Sequence, residues 1–294
     1  MISTRVSPKT RAILNMALAC SLHFGGYELA RSATMALFTS QKTGFTSPSA
    51  APFCTACVSP FSFWLLCQYT SSLQQRGPRA SLLYSTLIYA LVLAVSALIM
   101  DMVNPHLDSS DGYYPQWLAR GTIFFLNIWE NGMVQLLCTQ HWSFLSSISS
   151  EVWFAPIAGL GSLASTIAAM AVSPLIGHIG LTGLLWTSSI ILLLTAWIAD
   201  DAYRIAHHHG FEPGGQHGSM SHCGSKANAT HSSSILQTAQ KLFQRVPTLA
   251  TLCMEVLVCQ CVSSLINFLF VSKVQEFIPN DEERARWTGT VRIA

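Results

Sequence analysis

Apolar residues fall along this chain in long unbroken runs, not in strict alternation. Residues 81–100, SLLYSTLIYALVLAVSALIM, carry no charge, and between 152 and 199 His178 is the single titratable side chain. An α-helix crosses a bilayer with roughly 20 apolar residues, so the second stretch is long enough for two crossings. Runs of this kind, parted by polar or turn-forming segments, predict seven membrane helices at 12–38, 51–71, 80–100, 118–142, 152–172, 181–199 and 248–271. Pro60 predicts a kink in the second, which lipid-embedded helices tolerate. The basic sequence QQRGPR at 74–79 reads as a tight loop. Asn-Pro and Asp-Gly turn signals mark a polar segment over 101–116, and Ser173-Pro174 through Gly180 predicts the break between helices five and six. The expected fold class is all-α, a polytopic bundle of six helices followed by a seventh.

The expected domains are a basic tail (1–11), the six-helix bundle (12–199), a polar stretch (200–247), and the seventh helix with a polar end (248–294). The middle of the polar stretch, HHHGFEPGGQHGSMSHCGSKANATHSSS, has the composition of disorder. Residues 237–245 follow as a short amphipathic helix lying at the interface.

Composition agrees. Charged residues make up 10% of the 294, against about 25% in a soluble domain, and mean hydropathy is +0.39. A chain this apolar needs lipid around it. The net charge of +2 comes without an arginine-rich, aromatic-interleaved patch, so nucleic acid is not an expected partner. Positive residues orient membrane helices. Arg5, Lys9, Arg11, Arg76, Arg79, Arg204, Lys226, Lys241 and Arg245 fall on one side, and Lys42 and Arg120 on the other. The N-terminus and the 200–247 stretch are therefore expected on the cytosolic, stromal or matrix side. The formal glycosylation sequon at Asn228 would then be silent.

Ionisable groups at membrane depth are expensive and mark function or pairing. Glu28 and Arg31 are spaced i, i+3 in helix one and can share a face. Glu130 lies in helix four beside a polar stripe, Asn127, Asn131 and Gln135, which has to face other helices or a wet cavity. Glu28, Arg31, Asn127, Glu130, Asn131 and, in helix seven, Asn267 are the candidate cavity residues. Gly161, Ser165 and Ala169 have the small-residue spacing of a close helix contact. Cys54 and Cys57 form a C-x-x-C pair read as structural, since they sit at the start of an apolar run. The histidines at 207–209 lack zinc-site spacing. Neither a cofactor, a metal nor a catalytic constellation is expected.

Three segments carry a family resemblance. Leu29-Ala-Arg31-Ser-Ala-Thr-Met-Ala-Leu-Phe38 with Gly44, the run around Phe154 and Gly159-Leu-Gly161, and Asn267-Phe-Leu-Phe270 with 281–289 after it are similar to helix one, helices four to five and helix seven of the plastid and bacterial ATP:ADP antiporters. Those are nucleotide translocases related to the major facilitator superfamily. The resemblance implies two six-helix halves around a midplane site and alternating-access transport of nucleotides or other organic anions. Thr34 and Met35 stand where the family has Arg-Glu, Asn267 where it has Asp, and Val271 where it has Lys, so Arg31 alone carries over from the helix-one charges. The resemblance also implies about five further helices after Ala294, so that the chain would act as a dimer or with a missing C-terminal half. The competing expectation is a membrane scaffold, or a degenerate carrier, whose polar residues only hold the bundle together.

Overall fold

The computed structural model describes residues 7–40, 42–45, 50–106, 113–149 and 151–211, with scattered positions between 258 and 283. It divides into one unit of 1–216 with 278–294, and another of 217–277. Among the described residues there is no strand. The first unit is built from α1 (Pro8–Thr39), α2 (Ala50–Val103), α3 (Tyr113–Ile148) and α4 (Phe154–His208), with single 3-10 turns at Asn104–His106 and Glu151–Trp153. Two of these helical elements, over Pro52–His106 and Phe154–His208, are long and apolar enough to cross a membrane.

Neither of those two is a straight rod. Gly77 sits at φ 79, ψ 171 and Gly180 at φ 70, ψ −177, a region of backbone space open essentially to glycine alone. At each the helix folds back on itself. The Ser72 and Ser81 hydroxyls are 3.1 Å apart across Gly77, although nine residues of continuous helix would separate them by ~13 Å. Around Gly180 the sign is different. A β-carbon on Gly25 of α1 would meet the Ala164 carbonyl at 3.7 Å, and one on Gly26 would meet Ile191 at 3.2 Å. The two arms of α4 therefore lie side by side on α1.

These hairpins correct three expectations. The break in α4 falls at Gly180 alone: Pro174 stays inside the helix, because a proline removes one backbone bond and a membrane-type helix absorbs that loss. The QQRGPR loop is helical apart from Gly77. Helix also continues to His208, through residues expected to begin the polar stretch. It continues because its charges are matched: Arg79 Nε donates to Asp200 at 2.7 Å, Arg204 pairs with the same carboxylate at 2.9 Å, and the Asn15 amide donates to Asp201 at 2.7 Å. Pro60 lies within α2 without a break in φ/ψ. The helices also run longer than the apolar windows, as at α1 and α3.

Packing of α1 on α4 uses small residues. Ser188 Oγ–H donates to the Gly26 carbonyl at 2.6 Å, while its neighbour Ser189 donates to the Ala90 carbonyl of α2 at 2.8 Å. Gly161 meets Phe24, and Ala164 and Ala168 meet Gly25. The small-residue ridge expected at 161, 165 and 169 is thus a helix contact, carried on 161, 164 and 168. Cys54 is also structural. Its thiol is buried and lies 3.6 Å from Asn127 Oδ1. At the end of the bundle opposite Arg79, Arg120 Nε donates to the Gly44 carbonyl at 3.1 Å and the Trp186 indole donates to Asp101 at 3.2 Å.

In the second unit, Val258, Val262, Ile266 and Leu269 are helical and exposed. Their spacing puts them on one face. Asn267, the Asn228 sequon and the amphipathic segment 237–245 lie outside the described residues.

Candidate functional site

Helix α1 carries His23, Tyr27, Arg31 and Thr34 at i, i+4, i+8 and i+11, which places them on one stripe. Helix α3 runs antiparallel beside it. The His23 and His141 rings stack with centroids 5.6 Å apart. Thr34, eleven residues further along α1, faces Glu130, eleven residues back along α3. The second arm of α2 closes the third side: the Tyr89 ring is 6.3 Å from His23, edge-on, and its hydroxyl lies within electrostatic reach of Glu130 and Tyr27. Below the ring pair, Ser85 Oγ–H donates to Gln140 Oε1 at 3.0 Å.

The result is a polar column about 16 Å long, from His23 to Thr34 at 1.5 Å per residue, enclosed by aliphatic packing. His23 and His141 are 0% exposed, Tyr89 0%, Thr34 1% and Glu130 1%. Its hydrogen bonding is incomplete within the protein. His141 Nδ1 engages the Leu137 carbonyl at 2.6 Å, which leaves Nε2 as the other ring nitrogen. Neither nitrogen of His23, nor His141 Nε2, Thr34 Oγ1, Tyr89 Oη or Glu130 Oε1 has a partner in the protein. The Thr34 hydroxyl faces the Glu130 carboxylate. Arg31, half-buried at the rim, places its guanidinium 5.9 Å over the Tyr27 ring and within electrostatic reach of Glu130.

Each buried polar group left without a partner costs ~1–3 kcal/mol. Five such side chains in one column amount to a cost comparable with the ~5–15 kcal/mol that holds a domain folded. Apolar replacements of similar shape would remove that cost.

The predicted site residues separate into two groups. Arg31 and Glu130 come together in the column, and Glu28 is buried at 6% exposure elsewhere on the circumference of α1. Asn127 and Asn131 turn away. The Asn131 amide donates to the Asn127 backbone carbonyl at 2.7 Å and to its side-chain oxygen at 3.2 Å, while Asn127 also meets Cys54 of α2. They act as a helix contact, and Gln135, third in that stripe, is exposed. The sequence reading missed His23, Tyr89 and His141. Each of the two histidines is the single one in its apolar run, and that was the available signal. Among the described residues, no three metal-binding side chains are grouped to hold an ion.

No known family, curated protein or solved structure matches this chain.

Proposed function

We propose that this chain is a multi-pass membrane protein that moves a small solute by alternating access, with the α1–α2–α3 polar column as part of its central path. The observation that carries the reading is the set of buried polar atoms that find no partner inside the protein. In a bundle that opens to one side and then the other, such atoms bond solute or water when exposed, and their burial belongs to one state of the cycle. Arg31 would attract an anionic group on the solute, and Glu130 would take up a proton or face a cation. No covalent chemistry is involved. The segment resemblance set out above suggests the major facilitator type and, as substrates, nucleotides or other organic anions.

The membrane reading draws on the arm lengths. Each arm of α2 and α4 is about 26 residues, or ~39 Å, enough to cross a ~30 Å hydrocarbon core with some tilt. Asn15, Arg79, Asp200, Asp201 and Arg204 gather at one end of the bundle. With the basic tail before α1, that end is the cytosolic, stromal or matrix side under the positive-inside rule. The alternative reading is a non-transporting scaffold. It is favoured by Asn127, Asn131, Ser188 and Ser189, whose polar atoms serve helix contacts.

Uptake of radiolabelled nucleotides and organic anions into proteoliposomes containing the chain separates the two. For a transporter, Arg31→Ala and Glu130→Gln lower uptake at least tenfold while folded yield is kept. Unchanged uptake in both variants, or loss of folded protein in both, would count for the scaffold.

A further inference from the structure

A second feature adjoins the polar column at Ser85. Between the two arms of α2 and the flank of α3 is a cleft of about 280 Å³. Its lining changes along its length. Nearest the Gly77 turn are the hydroxyls of Ser72 and Ser81; then come Gln68 and Tyr84; farthest along the arms are Trp64 and Trp129. Trp64 and Tyr84 are 49% and 48% exposed, so the cleft is open at its sides. At its polar end the Arg76 guanidinium lies 4.5 Å over the Tyr84 ring. Arg76 is exposed, and among the described residues no carboxylate is within ion-pair distance of it. Its neighbour Arg79, by contrast, is committed to Asp200.

We propose that this cleft holds one membrane phospholipid with a net negative headgroup. The phosphate would sit on Arg76, and an acyl chain would run between the tyrosine and the tryptophans. The polar-to-aromatic gradient matches an amphiphile whose head lies at the end of the helices. An unpaired arginine at the level of the headgroups favours an anionic lipid over a zwitterionic one, and rings across the cleft suit a flexible alkyl chain. This inference rests on the membrane reading above, but on different residues.

The test uses the 294-residue chain reconstituted in phosphatidylcholine vesicles that contain either brominated phosphatidylglycerol or brominated phosphatidylcholine at equal mole fraction. Bromine quenches tryptophan on contact, and subtraction of the Trp64→Phe signal isolates Trp64. The expected result is severalfold stronger quenching of Trp64 by the brominated phosphatidylglycerol. Arg76→Gln abolishes the excess, whereas Arg204→Gln, a change at the same end of the bundle, leaves it. Equal quenching by the two lipids, or an excess that survives Arg76→Gln, overturns the site while leaving the membrane reading intact. Absence of quenching from any tryptophan by either lipid overturns both. Circular dichroism of each variant confirms that it is folded.

Discussion

Helix α1 has two seams that share one backbone and differ in kind. On the α4 side small residues set the contact: Gly25 and Gly26 let the backbones approach, and Ser188 hands its hydroxyl proton to the Gly26 carbonyl at 2.6 Å. On the α3 side the residues are large and polar, and both ring nitrogens of His23 lack a protein partner. Burial alone does not separate the seams, since His23 at 0% and Ser188 at 0% are equally enclosed. What separates them is where the hydrogen bonds end. A buried polar group whose partner is in the protein holds helices together. One without such a partner is kept at a cost in stability, and function is the natural reason to keep it.

The sharpest way to break this contrast is to overfill the satisfied seam. Gly26→Leu puts a branched side chain where even a β-carbon would come within 3.2 Å of Ile191 Cγ2 and 3.6 Å of the Ser188 carbonyl. It should cost ~3 kcal/mol or more, read as a lower melting temperature in detergent and a poor yield of folded protein. The opposite sign is expected across the helix. Replacing His23 and His141 together, as His23→Phe with His141→Leu, removes three partnerless nitrogens and should stabilise the chain by ~1–3 kcal/mol while lowering solute uptake at least tenfold. A lower melting temperature for that pair would mean the column contributes to stability after all. Ser188→Ala should have the smallest effect. It loses one interhelical hydrogen bond, worth ~0.6 kcal/mol in membrane proteins, and should leave uptake unchanged.

Much of the helical layout was legible in the sequence because apolar run length is a direct consequence of helix rise and hydrocarbon thickness. The turn positions were less so. The break expected over Ser173-Pro174 through Gly180 narrows to Gly180, because a helix can lose one backbone bond at proline and continue, whereas a reversal at a single residue needs one free to take up positive φ. Charge was misleading at 200–208. Asp200 and Asp201 read as the start of a loop when taken alone, and only the fold shows that Arg79, Arg204 and Asn15 meet them. The candidate site was half legible. Arg31 and Glu130 stood out as charges in apolar runs. The stripe of His23, Tyr27, Arg31 and Thr34 was missed because Glu28 was paired with Arg31 by spacing, although a residue three positions away lies 60° around the helix from it. Tyr89 could not be assigned from its own run, since its role depends on which helix it faces.

Gly77 and Gly180 bear on how such a chain enters a bilayer. Each turn between arms is a single residue out of helical conformation, with no loop long enough to be left behind on either side. In the membrane reading proposed above, the two arms of a hairpin would insert as a unit, and orienting one would orient the other. The Arg76 and Arg79 charges beside the first turn would then anchor both arms of α2 at once. A β-branched residue at Gly180 would oppose the reversal and favour a rod of ~80 Å, more than twice the thickness of the hydrocarbon core. Such a chain would fail during biogenesis, before any question of transport arose.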